Sequence, residues 1–99
     1  MKTNEQNKVT STIDDLSRVL IPHSLRLQLN WETGMKLTFA VSQEALEFSA
    51  HQGGAFALDD FGRITISQDL METMGWKVGE KVTILPLEIC NGVAIAQIY

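Results

Sequence analysis

The chain contains an internal repeat, and this repeat constrains the fold more than any other feature. Residues 14–39 align without a gap with residues 59–84, at a constant offset of 45 positions. Nine of the 26 aligned pairs are identical, namely Asp14/Asp59, Asp15/Asp60, Arg18/Arg63, Ile21/Ile66, Leu25/Leu70, Trp31/Trp76, Gly34/Gly79, Lys36/Lys81 and Thr38/Thr83. One copy, of about 40 residues, is too small to bury a stable core alone. The two copies are therefore expected to pack around one shared core.

Both copies predict the same order of short elements. β-Branched and alternating segments predict strands at 9–13, 18–21, 36–41 and 46–50 in the first copy, and at 55–58, 63–66, 81–85 and 93–98 in the second. Apolar residues spaced i, i+4 predict one short helix in each copy, at Leu25 and Leu29 and again at Leu70 and Met74. The predicted fold is therefore mainly β, with one helix per copy.

Glycine, proline, asparagine and hydroxyl residues mark the predicted ends of these elements. Pro22 and Ser67 stand where the two helices begin, and Asn30 and Gly75 stand where left-handed C-caps are expected. The pair at positions 91–92, Asn-Gly, predicts a two-residue hairpin turn. Pro86 is expected at a strand end or edge.

The same signals divide the chain into four segments. Residues 1–8 are polar and are predicted to be a flexible N-terminus, and residues 9–50 form the first repeat. The glycine-containing segment 51–54 is predicted to be a linker, and residues 55–99 form the second repeat. Both repeats are expected to belong to one globular unit.

Composition excludes several classes of protein. The 99 residues carry a net charge of −4, which argues against a protein whose whole surface binds nucleic acid or anionic lipid. No apolar run approaches the length of a membrane span, and the single Cys90 permits no intrachain disulfide and no cysteine-rich metal site. No nucleophile–base pair or phosphate-binding loop is present in the sequence pattern. We therefore expect a cytoplasmic protein that is not an enzyme and has no cofactor or metal.

The repeat resembles a known family. The first copy reads Asp-Asp-Leu-Ser-Arg-Val-Leu-Ile-Pro-His-Ser-Leu-Arg, followed by Trp31 and Gly34, and is similar to the SpoVT/AbrB/MazE superfamily of swapped-hairpin proteins. Two such copies in one chain are similar to the tandem arrangement of MraZ, or to a fused AbrB dimer. This resemblance implies a double-split β-barrel formed by two tandem repeats. It also implies a DNA-binding transcription regulator or an antitoxin-like protein.

The resemblance also implies which residues contact double-stranded DNA. Arg18 and Arg63 match the arginine of the family's Gly-Arg pair. His23 stands where the family usually has lysine, and Arg26 matches the arginine of the short helix. Gln68 is the counterpart of His23 in the second copy. These five residues are the candidate DNA-binding residues.

The second copy departs from the family pattern at its helix. Ser67 replaces the proline, Gln68 replaces the lysine, and Met71 replaces the helix arginine. Positive and negative residues balance in residues 1–45, so the net negative charge lies entirely in residues 46–99. The second copy is therefore expected to contribute less to DNA binding than the first.

Several residues have a structural interpretation beside the functional one. We favour pairing of Arg18 and Arg63 with the aspartates of their own turns over direct DNA contact. Trp31 and Trp76 are expected in the core, because both occupy the same repeat position. Met74 is expected in the core, Met71 on an exposed protein-contact surface, and Cys90 in a buried strand.

Two functions remain open at this stage. The first is the DNA-binding regulator, which the charge distribution suggests is a homodimer joined through its second repeat, so that two first repeats face the DNA. The second is a protein-interaction module that kept the fold and lost DNA binding, with a toxin or another regulator as its partner. The acidic second copy and the expected exposure of Met71 favour this second function.

Overall fold

The computed structural model describes residues 9–42 and 44–98, so the predicted flexible segment 1–8 lies outside the described residues. The elements are β1 (Val9–Thr12), β2 (Arg18–Leu20), α1 (His23–Leu29), β3 (Lys36–Val41), β4 (Ala45–Ala50), β5 (Phe56–Ala57), β6 (Arg63–Thr65), α2 (Gln68–Met74), β7 (Lys81–Leu87) and β8 (Gly92–Gln97), with a 3₁₀ turn at Glu88–Cys90. The prediction of a mainly β protein with one short helix in each copy is confirmed.

Six of the strands form one curled antiparallel sheet, in the order β1-β7-β8-β4-β3-β5. This order reads the same from either end when each strand is replaced by its counterpart in the other copy. The first strand of each copy pairs with a strand of the other copy, because β1 bonds to β7 and β5 bonds to β3. Neither copy therefore completes its part of the sheet by itself.

The remaining two strands, β2 and β6, form an antiparallel ribbon. Val19 of β2 lies opposite Ile64 of β6, and both side chains are fully buried. These two residues occupy the same repeat position, so the axis that relates the two copies passes between them. The ribbon thus joins the copies at the point where their sequences correspond.

Both copies contribute to a single apolar core. The buried side chains come from every strand except the short β1 and β5, and from both helices. Trp31 and Trp76 are 5% and 4% exposed, which confirms their predicted place in the core. Trp31 also fixes a contact between copies, because its indole Nε1–H donates to the carbonyl oxygen of Asn91 at 3.1 Å. The core is therefore shared, as the short length of each copy requires.

The predicted helix ends are confirmed. Ser67 precedes α2, and its hydroxyl oxygen accepts the backbone N–H of Leu70 at 3.3 Å. Pro22 precedes α1 at the equivalent position. Asn30 and Gly75 end the two helices in the left-handed region, with φ of 58° and 71°.

The predicted two-residue turn at positions 91–92 is wrong. β7 continues to Leu87, which lies opposite Gly92, so a four-residue loop containing the 3₁₀ turn connects β7 to β8. Asn91 adopts a positive φ, but Gly92 is needed for another reason. A Cβ atom at Gly92 would lie 2.3 Å from the carbonyl oxygen of Phe48 on β4. The glycine thus permits the close approach of two strands instead of forming a turn.

Two further expectations are also wrong. Cys90 lies exposed in the 3₁₀ turn, because the longer loop moves it out of the strand in which it was expected. Met71 is only 4% exposed, whereas it was expected on an exposed surface. Met74 is partly buried and packs against the core, as expected. Met71 instead belongs to the core that both copies share.

We expect Gly92→Ala to lower the free energy of unfolding by about 1–3 kcal/mol, because the neighbouring atom is backbone and a strand must shift. Gly53→Ala is the matched control, since a Cβ there meets only the His51 side chain, at 3.4 Å. Urea denaturation at neutral pH measures both variants. Equal stability of the two variants would contradict the close strand approach at Gly92.

Candidate nucleic-acid interface

Each copy carries a turn held together by an aspartate. Asp14 Oδ1 accepts the backbone N–H groups of Leu16 and Arg18 at 3.0 and 2.8 Å, and its Oδ2 accepts Arg18 Nε–H at 2.7 Å. The second copy repeats this arrangement, with Arg63 Nε 2.9 Å from Asp59 Oδ2. The predicted pairing of each arginine with its own turn is therefore confirmed. A guanidinium has five N–H donors, so this bond leaves donors available for another acceptor.

The pKa values of Asp14 and Asp59 both lie below the ordinary value for aspartate. Partial burial raises the pKa of each carboxyl group, but hydrogen bonds from the backbone and the guanidinium of the paired arginine lower it by more in sum. The backbone N–H at the third turn position and the arginine's positive charge lower it further. Both aspartates therefore stay ionised in moderately acidic solution.

The two paired arginines lie on the outer face of the β2–β6 ribbon. Alternation along a strand places Arg18 and Leu20 opposite the buried side of β2, and Arg63 and Thr65 opposite the buried side of β6. Arg18 lies across from Thr65, and Leu20 lies across from Arg63. The arginines are thus diagonal neighbours about the axis that relates the copies, a spacing of about 7–8 Å between strand positions.

Arg26 extends from α1 of the first copy to the turn of the second. Its Nε–H donates to the carbonyl oxygen of Ile21 at 2.9 Å. Its guanidinium also covers Gly62, where a Cβ atom would lie only 2.6 Å from Arg26 Cζ. The backbone N–H of Ile21 donates to the carbonyl oxygen of Gly62 at 2.8 Å. The structure therefore groups Arg26 with the turn that carries Arg63, and not with the turn of its own copy.

The reciprocal contact brings α2 beside the turn of the first copy. The backbone N–H of Ile66 donates to the carbonyl oxygen of Ser17 at 2.8 Å. Met71 occupies the repeat position of Arg26, and it is buried in the core that both copies share. Arg26 reaches the opposite copy at the surface, whereas Met71 has no charged group that must reach solvent.

This exchange places the candidate residues toward the two ends of the outer face of the ribbon, one beside each helix, and these ends are its two sides. Arg18 lies on the side of α2, where Asp69 and Glu72 are exposed. Gln68 lies on the same helix and its Nε2–H donates to Glu72 Oε2 at 3.3 Å. Arg18, His23 and Arg26 lie within nine residues of one another in the sequence, but the fold does not bring all three to one side.

The other side is the less negative of the two, because Arg26 and Arg63 balance Asp59 and the exposed Asp60 of the same turn. We define the cationic corner as His23, Arg26, Phe61 and Arg63. His23 is exposed at the start of α1, three residues before Arg26 and therefore on the same helix face. The Phe61 ring is 70% exposed, and Arg63 Cζ lies 4.8 Å from its centroid. The corner thus combines arginine donors with an accessible aromatic face.

Sequence reasoning missed Phe61 and its counterpart Leu16, which is 64% exposed. Both are large apolar side chains at the third position of an Asp-Asp turn, directly before a residue with positive φ. Apolar side chains at the tip of a polar turn are poorly explained by core packing. An apolar residue at this turn position in both copies was therefore the sequence feature that could have predicted an exposed contact residue.

The cationic corner has the chemistry of a phosphate-binding surface with a stacking group. Planar guanidinium groups donate to phosphate oxygens in a fixed geometry. An exposed aromatic ring packs against a sugar or a base. Among residues 9–42 and 44–98, no helix is long and apolar enough to cross a membrane. Within the same residues, no three His, Cys, Asp or Glu side chains are grouped as metal ligands.

The comparisons with known proteins identify no relative of this chain. No protein-family model, curated protein or solved structure matches it.

The two turns provide a matched test of the contact at Arg26. We expect Gly62→Ser to lower the free energy of unfolding by about 1–3 kcal/mol, because φ is +83° and the Arg26 guanidinium fills the space of a Cβ. Ser17→Gly, the reciprocal change, is expected to be neutral or slightly stabilising, because Ser17 already has a positive φ of 62°. Thermal denaturation measures both. If Ser17→Gly lost as much stability as Gly62→Ser, the Arg26 guanidinium and the positive φ would not make Gly62 a special position.

The aspartate turns predict how stability depends on acid. A lowered pKa in the folded state stabilises the fold fully above the ordinary aspartate pKa, and this contribution is lost as pH falls through the folded-state pKa. Below about pH 4, the double variant Asp14→Asn/Asp59→Asn should therefore show a flatter dependence of unfolding free energy on pH than the wild type.

The control for this experiment is Asp15→Asn/Asp60→Asn, which removes the same charge from exposed neighbours in the same turns. The two double variants are compared by urea denaturation between pH 2.5 and pH 7, a range chosen to span the ordinary aspartate pKa of about 3.9. Identical pH profiles for the two variants would show that the paired aspartates have no special role.

Proposed function

We propose that the chain is a DNA-binding transcription regulator of the AbrB/SpoVT type, or an antitoxin-like protein of the same fold, that contacts double-stranded DNA through the cationic corner. The observation that carries this proposal is the grouping of Arg26 with Arg63 beside the exposed Phe61. Guanidinium groups can donate to phosphate oxygens, and an exposed aromatic ring beside them can pack against a sugar or a base.

The topology supports the fold assignment that underlies this proposal. A swapped-hairpin barrel requires that two equivalent units exchange strands around a two-fold axis. In this chain β1 and β5 are exchanged between copies, and the ribbon of β2 and β6 lies on the axis. We therefore propose a double-split β-barrel in which the tandem copies take the place of two separate subunits.

The charge distribution makes a homodimer part of the proposal. One chain offers a single cationic corner, whereas the equivalent side of the second copy carries Gln68 with the acidic Asp69 and Glu72. Two chains would present two corners to one duplex, as two-fold DNA-binding proteins commonly do. The single cysteine of the chain, Cys90, has a free thiol, which fits a reducing cytoplasmic location.

A second candidate function is a protein-interaction module that kept this fold and lost DNA binding. The observation that favours it is the side around Arg18, where the turn with the exposed Leu16 lies beside the acidic helix α2. Leu16 is an exposed apolar contact residue there, whereas Met71 is buried. A toxin or another regulator would be the partner.

Anisotropy of a labelled, mixed-sequence duplex at low and physiological salt tests the first function. We expect binding that weakens steeply with salt, because phosphate contacts release counterions. His23→Glu should weaken binding by about tenfold, since it places a carboxylate on the cationic corner. Gln68→Glu is the matched control at the equivalent exposed position, and it should change binding by less than about threefold.

Arg26→Gln completes the experiment, with its thermal midpoint measured first because Arg26 also holds Ile21. It should lose affinity and reduce the salt dependence of binding by about one phosphate contact. Absence of duplex binding at low salt would reject the DNA-binding function and favour the protein-interaction module. Equal losses in His23→Glu and Gln68→Glu would remove the cationic corner from the interface.

A further inference from the structure

One strand of the large sheet has an open edge in its second half. β5 covers β3 only at Lys36 and Leu37. The linker then passes so close to β3 that a Cβ atom at Gly54 would lie 2.1 Å from the carbonyl oxygen of Leu37, and the chain leaves the edge there. Beyond this point Phe39 and Val41 are 44% and 47% exposed. An uncovered apolar edge of this kind is a surface for strand pairing.

The backbone groups of this edge point outward. The backbone groups of Lys36 and Ser42 face β4. The carbonyl oxygen of Lys36 accepts the N–H of His51, and the N–H of Ser42 donates to the carbonyl oxygen of Ala45. Even-numbered residues of β3 therefore face β4, and alternation directs the N–H and C=O groups of Phe39 and Val41 to the opposite side. Among the described residues, no group on that side bonds to them.

The equivalent edge of the second copy is closed. The counterpart of Phe39 is Ile84, which pairs with Val9 of β1. The counterpart of Val41 is Pro86, which has no backbone N–H to offer. Proline on an edge is a common means of preventing strand pairing. The repeat thus protects one of two equivalent edges and leaves the other available.

The open edge is complementary to itself. In an antiparallel pairing centred on Ala40, Phe39 of one chain lies opposite Val41 of the other, and Val41 lies opposite Phe39. This register uses all four outward backbone groups of each chain, and it places apolar side chains across from each other. Registers centred on Phe39 or on Val41 would leave some of these groups without partners.

The charges that flank the edge select the same orientation. Lys36 precedes the open segment and Glu44 follows it, and both side chains are exposed. Antiparallel pairing brings the Lys36 end of one chain to the Glu44 end of the other, whereas parallel pairing would bring like charges together. No charged residue lies between positions 38 and 42. The edge is therefore complementary to a second copy in hydrogen bonding, apolar contact and charge.

We propose that two copies of this chain associate through the Phe39–Val41 edges of their β3 strands, in an antiparallel pairing centred on Ala40. The contact is isologous and closes as a two-fold dimer. It gives the homodimer of the proposed function a specific interface, and it places that interface in the first copy instead of the second, where charge had suggested it. It does not depend on DNA binding.

Sedimentation velocity of the full chain, over a concentration series without DNA, measures the association. We expect a monomer of 11.0 kDa in equilibrium with a dimer. Val41→Pro introduces the residue that the second copy has at the equivalent position, Pro86. It removes the Val41 N–H from both chains, and with it two of the hydrogen bonds between them. It should raise the dimer dissociation constant by at least about tenfold. Val41→Thr retains the N–H and the β-branched shape, and should dimerise like the wild type.

A cross-linking experiment tests the register. Residues in a non-hydrogen-bonded antiparallel pair have Cα atoms about 4.5 Å apart, which lies within the range of a disulfide. Ala40→Cys, made in a Cys90→Ser background to remove the exposed native thiol, should give a covalent dimer under mild oxidation. Ala57→Cys in the same background is the control, because Ala57 is an exposed residue of the other edge strand, β5.

A chain that stays monomeric at every concentration would overturn the proposal. A dimer unaffected by Val41→Pro, in a variant whose thermal midpoint shows that it is folded, would overturn it as well, because the contact would then use another face. Failure of Ala40→Cys to cross-link beyond the level of Ala57→Cys would reject the register. Loss of DNA binding alone would reject the proposed function and leave this inference standing.

Discussion

The exchange of first strands between the two copies is the constraint on which the rest of the structure depends. The backbone N–H of Ile13 donates to the carbonyl oxygen of Glu80 at 2.9 Å, and the N–H of Leu58 donates to the carbonyl oxygen of Met35 at 3.0 Å. Each bond joins the end of a copy's first strand to the other copy. The apolar side chains Ile13 and Leu58 enter the shared core at the same positions. A unit whose first strand pairs with its counterpart leaves its own part of the sheet incomplete, so the fold requires both copies.

The same exchange decides which residues can act together. Each helix packs against the turn of the opposite copy, so Arg26 adjoins Arg63 and not Arg18. Arg26 of the first helix thereby meets the turn that carries Phe61, while the acidic second helix meets the turn of the first copy. Adjacency in sequence is therefore a poor guide to the composition of either side. A charge count for each copy also misses this, because each side is built from both copies.

Local rules in the sequence were sufficient to predict most elements of this fold. Strand alternation, the spacing of apolar helix residues and the caps at Asn30, Ser67 and Gly75 depend on neighbours within a few residues, and the structure agrees with them. The aspartate–arginine turns are also local, and their pairing was predicted. The failures concern Met71, Cys90 and the two-residue turn at positions 91–92. The burial of Met71 depends on the core shared with the opposite copy. The other two depend on a hairpin two residues longer than its counterpart, which the repeat alignment did not cover.

The sequence differences between the copies therefore carry more functional information than their identities. The identical pairs hold the turns, the helix stripes and the two tryptophans, which serve the shared core. The differences occur where the symmetry would otherwise produce two equal surfaces, as at Arg26 and Met71 on the contact between copies. Val41 and Pro86 differ in the same way at the sheet edge. A fused pair of units is free to vary such positions independently, whereas two identical subunits are not. The single chain can thus keep a two-fold scaffold while equivalent positions of its two copies form surfaces with different chemistry.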